Sequence, residues 1–189
     1  MYFIDYLTLM LTNMAAGLFI LGCFVWRDLD SEDNSHWVPP FAIAGLVATI
    51  GGFAITLTWP LTGQFHIYNS AFGETSVLLG MLFLGLALAL AKRWGLLPLA
   101  IYALFAGIAA LVIGIRIIDQ GLTAKPILSG IGFILSGICG IFSPLAVWQS
   151  NKKGLRVIGT LVLFAASAIW ALTGYLGYWM HIVAQTAPK

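Results

Sequence analysis

Six apolar segments set the terms for this chain. They run from about Ile4 to Trp26, Val38 to Trp59, Glu74 to Ala91, Leu96 to Ile118, Pro126 to Trp148 and Leu155 to Val183, and formal charges stand almost only at their ends. A helix needs ~20 predominantly apolar residues to cross ~30 Å of hydrocarbon, so each segment is long enough to span a bilayer. Of the 189 residues, 60% are hydrophobic and only 8% charged, and the mean hydropathy is +0.97. Such a chain cannot give a water-soluble domain a polar exterior. The expectation is an all-α polytopic membrane protein, a six-transmembrane-helix bundle in which residues 1–189 form one transmembrane domain and the lipid bilayer is the first partner.

Composition also excludes several classes. The formal charge of +2 is small and the nine basic residues are scattered, so there is no nucleic-acid surface. Cys23 and Cys139 both fall inside apolar segments, with no second Cys or His at a zinc-ligand spacing. They read as packed small residues and not as a disulfide framework. The chain opens Met-Tyr-Phe-Ile-Asp without a basic stretch, which predicts a retained first helix in place of a cleaved signal.

In chain order, the first span places Asp5, Thr8 and Thr12 on one face with Asn13 beside them, and that face is expected to point inward. Arg27 to His36 is the one strongly polar loop, holding four of the seven acids, and reads as a solvated turn. Small residues then recur at helical spacing: Gly45, Ala48, Gly52 and Thr56 on the second span, Ala103, Gly107, Ala110 and Gly114 on the fourth, and Ser129, Gly132, Ser136, Gly140 and Ser143 on the fifth. On the sixth, Trp170, Gly174, Gly177 and His181 share a face. Stripes of this kind let another backbone approach closely, or, on the fifth span, line a narrow polar passage. Four striped helices exceed what one bundle needs internally, which predicts a homo-oligomer.

Lys and Arg accumulate on the cytoplasmic side of membrane proteins. The first, third and fifth loops carry Arg27, Lys92, Arg93, Lys152, Lys153 and Arg156, against Arg116, Lys125 and Lys189 on the other side. The expected localisation is therefore the cell membrane, multi-pass, with both termini outside. Asp5, the connector between the second and third spans, Arg116, Asp119 and His181 would then share the outer end. Tyr68, Tyr175, Tyr178 and Trp179 crowd the same end, where aromatic residues form interfacial belts.

The connector Thr58 to Glu74 holds most of the candidate chemistry. Pro60 and Gly63 interrupt the preceding helix, while Trp59, Gln64, His66, Asn69 and Glu74 supply donors, acceptors and one carboxyl. Non-helical backbone at membrane depth must line a polar cavity or be buried in protein; otherwise this is a solvated loop. Arg116 has two candidate partners: Asp119, three residues on, and Glu74 across the outer layer.

The run Trp59-Pro60-Leu61-Thr62-Gly63-Gln64-Phe65, followed by Tyr68-Asn69 and Phe72-Gly73-Glu74, sits between the second and third of six spans. In this the chain resembles, over essentially its whole length, the family catalogued as domain of unknown function 981. The resemblance implies the six-span fold and brings no established activity. A looser likeness, of layout only, is to the proton-gated urea and amide channels, which also have six spans with both termini outside.

Hydrolase, phosphate-loop and dinucleotide motifs are absent, which argues against an enzyme and excludes a nucleotide-driven pump for this chain acting alone. Three function classes stand. The first is a channel or carrier for a small polar solute, its path marked by Trp59, Gln64, His66, Asn69, Glu74, Arg116, Asp119 and Asp5. The second is a redox subunit associated with quinone or with haem b, with His66 and His181 as axial ligands and Gly174 and Gly177 leaving room for the macrocycle. The third is a passive partner subunit of a larger membrane complex.

Overall fold

Each apolar segment is a helix in the computed structural model, which describes residues 6–63 and 66–186. They are α1 (Tyr6–Arg27), α2 (Val38–Thr58), α3 (Thr75–Lys92), α4 (Leu97–Gln120), α5 (Pro126–Trp148) and α6 (Lys153–Thr186), with a 3₁₀ turn at Ser35–Trp37 and a π-helix at Asn69–Glu74 leading into α3. Prolines open α2, α4 and α5, in the first turn where a missing N–H costs nothing. Left-handed residues close α2 at Trp59, α3 at Arg93 and α4 at Gly121. All six helices are long and apolar enough to cross a membrane, so the chain has the form of a multi-pass membrane protein. The third helix starts earlier than the sequence suggests, because the π-helix already continues its axis from Asn69.

Three tight antiparallel pairs make up the bundle: α2 with α3, α4 with α5, and α1 with α6. The first two are built alike. Gly45 and Gly52 of α2 face Gly80 of α3 and Gly73 of the π-helix that leads into it, and Gly107 and Gly114 of α4 face Gly137 and Gly130 of α5. In both pairs the glycines are seven residues apart, and all but Gly73, which meets Thr56 and Ile55, meet a carbonyl of the opposite glycine. A Cβ on Gly45 would lie 2.9 Å from the Gly80 oxygen, and one on Gly107 would lie 2.6 Å from the Gly137 oxygen. In the third pair hydroxyls do part of this work. Ser167 donates to the Ala15 carbonyl at 2.8 Å, Thr160 to that of Gly22 at 3.4 Å, and Gly174 rests on Thr12. A seven-residue repeat brings the same face back every two turns, which suits helices crossing at a shallow angle.

The pairs join through α1 with α2, α3 with α4 and α5 with α6, so helices adjacent in sequence touch and the circuit closes from α6 back to α1. The small-residue stripes of α2, α4 and much of α5 are therefore taken up within one chain. The faces left outside are large and apolar: Ile43, Ile50 and Leu57 on α2, and Phe105 and Val112 on α4, are all exposed. In a bilayer these positions meet lipid. Inside, Leu11, Ala15, Phe72, Phe133, Ala166 and Trp170 belong to one core at the end that holds the π-helix. A second core, built on Phe24, Phe41, Phe83 and Leu90, joins α1, α2 and α3 at the opposite end. These are called below the connector end and the basic end.

Candidate functional site

The connector is organised by Asn69, which is wholly buried. Its Oδ1 accepts from the Leu61 N–H at 3.1 Å, and its Nδ2 donates to the Leu61 carbonyl at 2.7 Å and the His66 carbonyl at 2.9 Å. Both amide donors are thus engaged by backbone, and Asn69 ties the non-helical stretch to the first turn of the π-helix. Trp59 is exposed and left-handed. His66 lies on an exposed turn with its Nδ1 2.9 Å from the Gly63 carbonyl. Glu74, the last residue of the π-helix, is exposed. Gln64 and Asp5 lie outside the described residues, as does the His181 side chain and with it the expected haem pairing of His66 with His181.

Of the two partners open to Arg116, the structure takes Asp119, at 2.9 Å, and Gln120 adds a 2.6 Å hydrogen bond to the same carboxylate oxygen. Glu74 and Arg116 form no ion pair, and the reason is reach: a partner three residues along the same helical turn needs no second helix to come close. Both members of the pair are more than half exposed, and pairs of this kind contribute ~0–1 kcal/mol.

Below Asn69, the π-helix turns Phe72 into the interior. Its ring centre is 5.2 Å from that of Phe133 and 6.2 Å from that of Trp170, while Phe133 and Trp170 meet edge to face at 5.1 Å. Such offset and edge contacts are favoured by the ring quadrupoles. Trp170 is fully buried and donates through Nε1 to Ser136 Oγ at 3.1 Å, which in turn donates to the Gly132 carbonyl at 2.8 Å. Gly132 is what admits the indole, since a Cβ there would stand 2.8 Å from Cζ2. Tyr68 stacks edge-on against Phe72 at 5.6 Å and accepts from the Ala124 N–H at 3.3 Å, joining the connector to the α4–α5 turn. The sequence offers Tyr68 as part of an interfacial belt and Phe72 only as part of the family-like motif, and it does not single out Phe133. The legible signal was Gly132 and Ser136, one helical turn apart on α5, opposite a tryptophan on α6.

Phe133 of this cluster lines one end of a cavity of about 450 Å³, within the size range of small-molecule sites. Its wall comes from α1, α3, α4, α5 and α6, and no residue of α2 takes part. Leu21, Leu82, Ala106, Cys139 and Val162 are representative. The lining extends from Thr75 and Phe133 beneath the cluster to Leu29, Leu96 and Leu155 at the basic end. The hydroxyls that face it are already bonded to carbonyls: Thr75 to Ala71 at 2.5 Å, Ser136 to Gly132 at 2.8 Å, and Ser143 to Ala100 at 3.0 Å and Gly140 at 2.7 Å. A cavity whose lining hydroxyls are engaged by carbonyls has little to hold water with. Of the fifth-span stripe that the sequence offers as the lining of a passage, Ser136, Gly140 and Ser143 face this space; the rest of its wall carries no such signal, because the space exists only where helices part.

At the basic end the first loop is pinned, not merely solvated. Arg156, with 11% of its side chain exposed, donates to the Val25 carbonyl at 2.9 Å, the Trp26 carbonyl at 2.6 Å and Asp30 at 2.6 Å. It caps the C-terminus of α1 across the α1–α6 pair. Asp28 accepts from Trp37 Nε1 at 2.9 Å and lies 3.4 Å from His36 Nε2. The Ser35 N–H, 3.1 Å from its carboxylate, holds Asp33 below the usual aspartate pKa. Among the described residues no cluster of His, Cys, Asp and Glu is placed to hold a metal ion, and both cysteines are free thiols.

No curated protein and no solved structure matched this chain. The model of the family described as protein of unknown function (DUF981) matches residues 1–184. That stretch holds the connector, the aromatic cluster and the whole cavity wall, and the chain belongs to the DUF981 family.

Proposed function

We propose that this protein is a membrane-embedded binding protein or carrier whose ligand places an apolar chain, such as a lipid or isoprenoid tail, in the cavity between α1, α3, α4, α5 and α6. The observation that carries the reading is the chemistry of the wall: about 450 Å³ bounded by aliphatic and aromatic side chains, with the facing hydroxyls of Thr75, Ser136 and Ser143 engaged by carbonyls. Within a bilayer, where the alternative surroundings are also apolar, such a site holds a chain by shape and dispersion contacts. A quinone, whose tail has this chemistry, falls within the reading, so a redox role for a larger complex is one form of it.

Gly159 supplies the test. It lines the cavity, and a Cβ added there meets nothing within 4 Å, so Gly159→Leu fills space without striking the protein. Native mass spectrometry of detergent-purified protein should show a retained lipid-like molecule on the parent and at least tenfold less on Gly159→Leu. Equal retention by the two would overturn the reading.

A path for a small polar solute at the connector end is the second reading, favoured by the exposed carboxylate of Glu74 beside the π-helix. Asn69 and Arg116 weigh less in it than their sequence positions suggest, because their polar groups already have partners. Solute uptake into vesicles by the Glu74→Gln variant separates the readings: loss of uptake supports the path, and parent-like uptake removes Glu74 from it.

A further inference from the structure

Resting on that reading, we propose that the occupant is an anionic phospholipid of the surrounding membrane, its chain in the cavity and its phosphate among Lys92, Lys152 and Lys153 at the basic end. At the connector end the cavity is lined by Met14, Thr75, Ala110 and Phe133, with Phe72 and Trp170 packed against Phe133, and it reaches the helix ends at the other, where Leu96 and Leu155 line it. Those two residues follow closely on Lys92 and on Lys152–Lys153. A chain lying in the cavity therefore carries its polar head toward the lysines.

The charge at that end is unequally satisfied. Of the acids on the first loop, Asp30 is bound by Arg156, Asp28 by Trp37 and His36, and Asp33 by the Ser35 N–H, with Arg93 close enough to add to its lowered pKa. Glu32 alone is without such a partner in this set. Lys92, Lys152 and Lys153 are exposed and form no ion pair among the described residues. An apolar cavity that reaches the same helix ends as exposed ammonium groups without ion-pair partners is complementary to an amphiphile with an anionic head. A neutral lipid would use the cavity and leave the lysines to solvent, and a free anion would use the lysines and leave the cavity empty.

The experiment is lipid retention by the full chain in neutral detergent, read by native mass spectrometry, with phosphatidylglycerol and phosphatidylcholine of the same acyl chains as probes. The variants are Gly159→Leu and the triple exchanges of Lys92, Lys152 and Lys153 to Gln and to Arg. The parent should prefer phosphatidylglycerol by tenfold or more. The Gln triple should lose that preference, at roughly fivefold per lysine, while still retaining phosphatidylcholine like the parent, and the Arg triple should keep it. Gly159→Leu should lose both lipids. If the parent holds the two lipids equally, or the Gln triple keeps the preference, the head-group assignment falls and the cavity reading survives. If Gly159→Leu holds phosphatidylglycerol like the parent, the lipid is on the protein's outside and both fall. Should the Gln triple not fold, the single exchanges Lys152→Gln and Lys92→Gln are read in its place, and parent-like preference in both overturns the assignment.

Discussion

Arg116 and Arg156 show how differently the same side chain is used. Arg116 attracts notice in the sequence because it stands at the end of a charge-free helix, yet its ion pair with Asp119 is exposed on both sides. Arg156 reads as one more topological arginine, but it is largely buried and donates to two carbonyls of α1. Its third bond, to half-exposed Asp30, is screened and adds less. Asn69 resembles Arg156: fully buried, with three bonds to backbone. Removing the partner of a buried polar group costs ~1–3 kcal/mol per group, whereas an exposed pair contributes ~0–1 kcal/mol. Thermal unfolding in detergent should therefore rank Asn69→Ala and Arg156→Gln well below the parent and place Arg116→Gln within about 1 kcal/mol of it. A destabilisation of Arg116→Gln as large as that of Arg156→Gln would contradict this account.

At the scale of elements, the glycines sort into those that touch backbone and those that face open space. Gly107, Gly137, Gly45 and Gly80 each oppose a carbonyl or amide of the neighbouring helix at under 3 Å from an added Cβ, and backbone does not swing aside as a side chain tip can. Overfilling a packed interface costs ~1–3 kcal/mol. Gly159 has nothing near it, and in a helix alanine is favoured over glycine by ~1 kcal/mol. Gly107→Ala should thus lower the unfolding temperature and Gly159→Ala leave it unchanged or raise it. If the two behave alike, close approach is not what holds α4 to α5. Threonines share these interfaces: the buried hydroxyls of Thr49 and Thr56 have no conventional partner and stand over Gly80 and Gly73, where Cα–H donors of the facing helix are the available contacts. Since the stripes on α2 and α4 serve α3 and α5, the argument from surplus stripes to a homo-oligomer loses its premise; an oligomer would have to form through the apolar outer faces.

For the whole molecule, the alternation of six antiparallel helices places the connector, the α4–α5 turn, the start of α1 and the end of α6 at one end and Lys92, Lys152 and Lys153 at the other. By the bias of basic residues, the basic end is expected in the cytoplasm. A cysteine introduced at Gly63, on a Cys23→Ala, Cys139→Ala background, should react with an impermeant thiol reagent added outside intact cells, and one at Lys152 should not. The opposite pattern would reverse the orientation and put the lysines at the outer leaflet.

The amino-acid sequence by itself determined the helices. Apolar length, proline at helix starts and charge at helix ends are local properties, and the hydrocarbon of a bilayer leaves a span of that length no other way to satisfy its backbone. Its small-residue stripes also marked the packing faces of α2 and α4, while Gly73 and Gly80 before and on α3 and Gly130 and Gly137 on α5, which those faces meet, lie outside the stripes. What the tertiary structure decided was which helices those faces meet, and hence where they do not. The cavity depends on α3 standing apart from α5 while α6 returns to α1. No run of residues encodes such a gap, because a void is a property of several distant side chains falling short of one another. The connector divides in the same way. Its polar residues were legible, but the bonds that occupy Asn69, the turn that carries Phe72 inward and the choice of Asp119 by Arg116 are matters of distance between atoms. In the sequence these residues stand only as donors and acceptors with their partners unassigned.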